Sequence, residues 1–441
     1  MSATPSPASP SHGPAPLRLG IVGLGTVGIG VVKIIQNHAG LLAARAGRPL
    51  QITAICARDR TRNRDADISG YAWVDSATEL AVRDDVDVLV ELVGGTEGAA
   101  REAIELALDH GKDVVTANKA LLAVHGQALA ERAERQGRTI RYEAAVAGGI
   151  PVIKTITESL AGNRISRVMG VMNGTCNYIL TRMQSAGLPY ETVFEEARQL
   201  GYLEADPTLD VGGIDASHKL AILAALAFGT RVAFDAVEIE GIERISIDDI
   251  NRAADMGYRI KLLGVAQITA RGLEQRMSPC LVPADSPLGQ LEGGTNMVVV
   301  EGDSVGQIVL RGAGAGEGPT ASAVMSDVIE LARGVRMPVF GQPATGLAAP
   351  QPARTAIPAA YYLRRTLSDK PGALAKIATL LGDAGISIDR MRQYGHTVGG
   401  SAPVLIVTHK TTPEAIHHAM ELLPRTGVVE GDPIELRIEE V

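Results

Sequence analysis

The segment from Leu17 to Val22, LRLGIV, followed by Gly23-Leu24-Gly25-Thr26-Val27-Gly28, narrows the fold more than any other part of the chain. A short apolar run reads as a buried strand. It enters a G-x-G-x-x-G turn that opens a long helix with apolar spacing. Each glycine has a task there. Gly23 permits the tight turn, Gly25 lets the backbone approach a pyrophosphate at the helix N-terminus, and Gly28 lets helix and strand pack closely. The spacing alone is a weak signal. The strand before it and the helix after it make it a dinucleotide-binding turn rather than a structural one.

The next hundred residues keep alternating. QITAICARD reads as a strand, VDVLVELVGG from Val86 as another, EGAAREAIELALDHG as a helix, KDVVTANK as a strand, ALLAVHGQALAERAERQG as a helix and TIRYEAAV as a strand. Such alternation predicts a parallel sheet with helices on both faces over residues 17–150, with a later helix at about 318–340 completing it. After Pro151 the pattern changes. VIKTITESLAG is a predicted helix and ISRVMGVMN a strand, and residues 265–300 alternate like antiparallel strands, so 151–317 form a second, α+β domain. GQPATGLAAPQPA begins a linker over 341–357. Residues 358–441 then read βαββαβ, an antiparallel sheet with two helices on one face, the ferredoxin-like arrangement, as a separate unit.

Composition removes several classes of function. A net charge of −8 argues against a nucleic-acid partner. Only 3% of residues are aromatic, so the cores must be built from Ala, Val, Ile and Leu. Cys56, Cys176 and Cys280 lie far apart with no CxxC spacing, which fits a reducing cytoplasm and neither a disulfide framework nor a zinc site. No segment reaches the roughly 18 apolar residues of a membrane span. Residues 1–16, with five prolines and no apolar stretch, are expected to be a disordered tail.

Two regions carry chemistry. At the end of the second strand an NAD-preferring fold places an acid for the ribose 2′-hydroxyl, whereas here Ala57 and Arg58 stand in that place. A guanidinium suits a 2′-phosphate, so NADP(H) is the expected cofactor, with NAD(H) kept as the alternative by Asp59. Thr96 and Lys119 close the third and fourth strands at the edge where ligands bind. The stretch GYLEADPTLDVGGIDASHK, 201–219, brings Glu204, Asp206, Asp210 and Asp215, with Glu196 just before them, close to Lys219. Pro207 and Gly212-Gly213 predict a loop through most of it. Asp215 and Lys219 are four residues apart in the first turn of an apolar helix and so share a face. A lysine held there by a carboxylate can hand a proton to a substrate oxygen. The competing reading is a solvated surface ion pair, which the apolar run behind it disfavours.

Longer motifs identify a family. GLGTVG, ELVGGT, VTANKALLA, YEAAVAGGIPVI, VMNGTCNYIL, GYLEADPTLDVGGIDASHKLAIL and GAGAGEGPTASAV resemble those of the homoserine dehydrogenases, in the single-function form with a C-terminal ACT domain. The resemblance runs from about Leu17 to the end. It implies NAD(P)H-dependent interconversion of L-aspartate 4-semialdehyde and L-homoserine. It makes Lys219 the proton donor, Asp215 its orienting carboxylate, and Lys119 a contact to cofactor and substrate that is the alternative acid. It implies substrate contacts from Glu204, Asp210, Gly174 and Thr175. Contacts to the cofactor would come from Gly23, Gly25, Thr26, Val27, Gly28, Arg58, Thr96, Lys119 and Gly316. A monovalent cation, usually sodium, would sit on Glu143, Val146, Gly148 and Ile150. An amino-acid effector, threonine by expectation, would bind the ACT turn at Asp369, Gly372, Ala373 and Leu374. The resemblance further implies a cytoplasmic homo-oligomer, dimer or tetramer. Gly98 departs from the pattern, standing where proline is expected. A silent amino-acid sensor on the same scaffold is the competing class, and the intact Lys119, Asp215 and Lys219 argue against it.

Overall fold

The computed structural model of the 441-residue chain describes residues 14–203, 206–353, 357–368, 370–395 and 400–440. They fall into two compact units. The first holds residues up to 161 with 229–232 and 313–348, and the second holds 162–228, 233–312 and 349 onward.

In the first unit, β1 (Leu17–Val22), β2 (Leu50–Cys56), β3 (Ala72–Trp73), β4 (Val88–Glu91), β5 (Asp113–Thr116) and β6 (Ile140–Arg141) form one sheet in the order β3-β2-β1-β4-β5-β6. Every neighbouring pair is parallel. Both β4 and β5 are buried along their whole length, as strands covered on two faces must be. The strand order reverses between β1 and β4, and in sheets of this kind ligands bind outside the carboxyl ends at that point. The helix Thr26–Ala46 follows β1 directly. By length and composition it could cross a membrane, which corrects the sequence expectation that no segment could. Its apolar residues are committed to a core instead. Ile29, Val31, Val32 and Ile35 are buried in one cluster with β1, β2 and the helix Glu317–Ala332. Residues 1–13 of the expected tail lie outside the described residues. The carbonyls of Ala15 and Pro16 accept hydrogen bonds from Arg48, at 2.8 and 2.9 Å.

The second unit is built on one long mixed sheet. Its strands are β7 (Ile165–Val171), β8 (Glu238–Ile239), β9 (Tyr258–Thr269), β10 (Gly272–Pro283), β11 (Thr295–Gly302), β12 (Gly306–Ala313), β13 (Ala360–Ser368), β14 (Ile388–Gln393), β15 (Ser401–Thr408) and β16 (Val429–Ile438). Their order is β12-β11-β7-β9-β10-β16-β13-β15-β14, with β8 beside β10. The last four are the expected βαββαβ module. Helices Ala373–Asp383 and Pro413–Leu422 carry Ile377, Leu381, Ile416 and Ala419 into its core.

That module is not separate, as the sequence suggested. β16 runs parallel to β10, pairing Cys280 with Arg437 and Leu281 with Ile438. The seam is sealed by a cluster of buried charges. Glu439 meets both Arg276 and Arg167, Arg437 reaches Glu439 at 2.8 Å, and Arg276 Nε reaches Glu274 at 3.1 Å. Burial alone would raise the Glu274 carboxyl, but Arg276 and Arg437 hold it below the usual range. Charges this deeply buried are tolerable only because they compensate one another. Glu439→Gln therefore leaves buried guanidinium groups under-compensated. A loss of about 3–5 kcal/mol is expected, read as a lower urea midpoint with an unchanged slope.

Candidate active site

The glycine turn is built as its spacing demands. Gly23 lies at φ +99°, and a Cβ there would stand 2.7 Å from the Leu92 carbonyl oxygen at the end of β4. A Cβ on Gly28 would stand 2.0 Å from the Gly23 carbonyl oxygen, so only glycine fits. Gly25 caps the helix without a side chain, and Gly25 and Thr26 are exposed at its N-terminus with Val27 half-buried behind them. The first helical amides thus face outward from the switch point, where an anionic group is stabilised by the helix dipole and unpaired N–H groups.

Beside this turn lies the basic loop after β2. Arg58 is exposed at the strand end. Asp59 turns its Oδ1 inward to the amides of Thr61 and Arg62 and to the Thr61 hydroxyl, at 2.8, 3.2 and 2.7 Å. The Thr61 hydroxyl is the main reason its carboxyl lies below the ordinary range. One oxygen of the acid that kept NAD(H) in play is therefore engaged in holding the loop. Arg64 donates to the carbonyls of Asp59 and Leu24, at 2.6 and 3.3 Å, and fastens the loop to the glycine turn. It also lies over the Trp73 ring, 5.6 Å from its centroid.

At the ends of β4 and β5, a residue missed in the sequence organises the edge. Glu91 is fully buried. One carboxylate oxygen accepts from the amides of Val93 and Gly94 at 2.7 and 3.0 Å, and the other from the Thr116 hydroxyl at 2.6 Å. Asn118 extends the network. Its side chain donates to the Gly95 carbonyl at 2.8 Å, and its Oδ1 caps the helix Lys119–Arg135 by accepting from Leu121 N at 3.1 Å. Thr96 and Lys119, both half-buried, are held at this edge. Gly316, at φ +116°, caps the helix Glu317–Ala332.

The loop expected to hold a cation also has a defined form. Ala147 and Gly148 are consecutive left-handed residues, at φ +56° and +53°, and Ala147 is the one non-glycine residue in that region among those described. Ile150 N closes the turn on the Ala147 carbonyl at 3.0 Å. Both oxygens of Glu143 accept main-chain amides, from Ile153 and Lys154, each at 2.9 Å. Burial, with the Asp327 charge second, pushes Glu143 up to about 7. Among the described residues no group of three or more His, Cys, Asp and Glu side chains converges on a metal position. Of the four expected positions, Ile150 already accepts Val152 N through its carbonyl at 2.8 Å, and Glu143 accepts Val146 N at 3.4 Å.

The second unit carries the lysine and carboxylate expected to act as acid and orienting group. In the helix Ile214–Phe228, Lys219 Nζ donates to Asp215 Oδ2 at 2.6 Å and to the Met172 carbonyl, just past β7, at 2.9 Å. Lys219 is 9% exposed, so this is not the solvated surface pair. Next along the chain, Asn173 caps the helix Gly174–Ala186 by accepting from Cys176 N at 2.8 Å, while its Nδ2 donates to Asp210 at 3.1 Å. Thr175 donates to the Tyr202 carbonyl at 2.9 Å, and the Tyr202 ring stacks on Tyr178 at 4.7 Å. A Cβ on Gly174 would meet the Gly294 carbonyl oxygen at 2.6 Å. Cys176 is buried, and burial followed by the charge of Asp210 holds its thiol well above its ordinary range, so it is no nucleophile.

The acidic stretch is more divided than its sequence suggests. Among the described residues, Asp215 is the carboxylate that reaches Lys219. Asp206 caps a short helix, Pro207–Val211, which replaces the expected loop because proline suits its first position. Asp210 faces Asn173, and Glu196 pairs with Arg182 at 3.0 Å. Glu204 lies outside the described residues, as does Asp369. In the C-terminal module, Gly372 caps its helix at φ +85°, Ala373 is buried and Leu374 packs on the core.

Comparison with known proteins agrees with this geometry. Residues 23–143 match the family model for the homoserine dehydrogenase NAD-binding domain, 151–329 that for homoserine dehydrogenase, and 361–423 that for the ACT domain. A homoserine dehydrogenase of Neisseria gonorrhoeae is 42% identical over 97% of this chain and 99% of its own. A homoserine dehydrogenase structure from Thiobacillus denitrificans superposes with a TM-score of 0.91 at 38% identity, covering 97% of this chain and 99% of that one. A hyperthermophilic archaeal homoserine dehydrogenase in complex with NADPH matches at a TM-score of 0.61 and 27% identity, over 73% of this chain and 98% of that one.

The 2.0 Å approach at Gly28 makes the cofactor turn directly testable. Gly28→Ala is expected to weaken dinucleotide binding by about tenfold or more, from an overpacking strain of ~1–3 kcal/mol. Fluorescence titration of the folded variant measures this.

Proposed function

Because the chain belongs to the homoserine dehydrogenase family, and is therefore an oxidoreductase acting on a CH–OH group, we propose that it reduces L-aspartate 4-semialdehyde to L-homoserine with NADPH and uses Lys219 as the proton donor. The observation that carries this reading is the nearly buried Lys219 ammonium, fixed between Asp215 and the Met172 carbonyl. The dinucleotide, when bound, supplies the hydride that reaches the aldehyde carbon. Negative charge then grows on the aldehyde oxygen. Lys219 stabilises it and transfers a proton to it, giving the alcohol. Two oxygen acceptors hold the ammonium, so its direction is set before substrate arrives. In the oxidative direction neutral Lys219 takes the hydroxyl proton. Lys119 is the alternative acid and otherwise contacts cofactor and substrate.

NADP(H) is preferred over NAD(H) in this reading. Arg58 is free to meet a 2′-phosphate, while Asp59 is engaged within its own loop. The NADPH complex of the archaeal relative supports the same preference. Gly23, Gly25, Thr26, Val27 and Gly28 would hold the pyrophosphate end, and Thr96, Lys119 and Gly316 the nicotinamide end. Glu204, Asp210, Gly174 and Thr175 would bind the amino acid. The carbonyls of Glu143, Val146, Gly148 and Ile150 would hold Na⁺, which would stiffen a loop already bent into the left-handed region. The ACT turn at Asp369 and Gly372–Leu374 would take threonine, an end product of the pathway from aspartate. Threonine, methionine and isoleucine synthesis is the context assigned, in the cytoplasm, by a homodimer or homotetramer. The three buried, unpaired cysteines accord with a reducing compartment.

NADPH consumption with aspartate semialdehyde, followed with and without threonine, tests the reading. Consumption that threonine suppresses is expected. No consumption with NADPH or NADH would overturn the activity, and indifference to threonine would overturn the effector. Lys219→Ala is expected to lower turnover by about 100-fold or more while NADPH affinity stays unchanged. Near-normal turnover would transfer the role to Lys119.

A further inference from the structure

Lys261 is 4% exposed, in the first third of β9, opposite Cys280 on β10. Its ammonium donates to Asn177 Oδ1 at 2.9 Å and to the Leu291 carbonyl. Both acceptors are neutral. The acid that acts on it, Glu292, does so through charge alone, and burial dominates, lowering the ammonium to about 8. A buried charge with neutral partners is costly, and an apolar side chain of similar length would fill the same space at lower cost. What the lysine adds is a connection between two segments.

The first segment is the opening of the helix Gly174–Ala186, which carries Asn177. The second is residues 291–294. Asn177, itself 1% exposed, donates from Nδ2 to the Gly293 carbonyl at 2.8 Å and to Leu291 O at 3.4 Å. Lys261 thus holds Asn177 from one side while Asn177 holds the loop from the other. The loop continues into Gly294, whose carbonyl presses on Gly174 so closely that a Cβ there would stand at 2.6 Å. Gly294 also adjoins Tyr202, which accepts the Thr175 hydrogen bond and stacks on Tyr178. Gly174 and Thr175 lie two and three residues beyond Met172, the carbonyl that holds Lys219.

We propose that Lys261 is a positioning residue for the substrate side of this site, clamping the 291–294 segment through Asn177 so that Gly174, Thr175 and Tyr202 are presented to the amino-acid substrate. It touches neither substrate nor cofactor. The clamp rests on the assignment of residues 172–219 to the substrate. Misplacing a binding group by an ångström costs reaction efficiency even when the acid is intact.

The test is steady-state kinetics of the full-length enzyme with homoserine and NADP⁺. Lys261→Met is expected to raise KM for homoserine by about tenfold to 100-fold, with KM for NADP⁺ within about twofold of the parent. Lys261→Gln, which keeps a donor, is expected to recover part of the loss. Should Lys261→Met fail to fold, Asn177→Ala is expected to give the same selective rise. A purely structural lysine would lower Tm and leave KM for homoserine unmoved, and that result overturns the proposal. Lys219→Ala is measured alongside. If its turnover is lost while Lys261→Met leaves KM unmoved, only the clamp is wrong. If its turnover is near normal, Lys219 is not the proton donor, and the clamp still stands or falls on KM for homoserine in Lys261→Met.

Discussion

The Lys219 ammonium, held at 2.6 Å by Asp215 and at 2.9 Å by the Met172 carbonyl, is the interaction on which the chemistry proposed for the second unit depends. The Met172 contact is not available to an isolated helix. The Asp215 contact needs the helix to begin just before it, after the left-handed Gly213. The Met172 contact needs β7 to end one residue earlier and the helix to lie against it. Leu220, the next residue, packs on Gly264 of β9, so the helix is pinned to the sheet immediately beyond its lysine. The sheet thereby fixes the direction of the ammonium, which a surface ion pair, worth ~0.3–0.5 kcal/mol, could not fix.

The same sheet extends without a break into the ACT module. The strands β13–β16 and the end of β7, beside which the proposed proton donor is held, therefore share one hydrogen-bonded framework. Arg167 shows the economy of the arrangement. It lies on β7, five residues before Met172, and its guanidinium meets Glu439 just beyond β16. The first unit depends on a different constraint, the near-contact of Gly28 with Gly23, which lets a long apolar helix start directly at the strand end.

Much of this was legible in the sequence, and the failures have physical causes. The glycine turn, the parallel alternation, the βαββαβ order and the Asp215–Lys219 pairing all follow from local spacing, and all are present. Short elements end before their apolar runs do, because apolar residues continue past the point where hydrogen bonding stops. VDVLVELVGG contains only four strand residues, and VIKTITESLAG is one α-turn at Val152–Lys154 that widens into a π-turn at Thr155–Ser159. Glu91 gives no signal in the sequence, because an acid at a strand end looks solvated there. Its partners are two following amides and a threonine 25 residues away. The Asp-Pro at 206–207 reads as a loop in the sequence, but it is a cap followed by a proline at the first helical position, so Asp206 spends its carboxylate on the Thr208 amide. The β10–β16 seam and the Lys261–Asn177 clamp involve residues far apart in the chain, for which periodicity carries no signal.

Chemical rescue tests the central claim most directly. Lys219→Ala removes the ammonium and leaves Asp215 and the Met172 carbonyl facing the space it filled. If Lys219 is the proton donor, small primary alkylamines added to this variant should restore turnover in a saturable way, and the rescued rate should depend on amine pKa. A variant that amines of any pKa leave inactive, or one that turns over without them, would contradict the account.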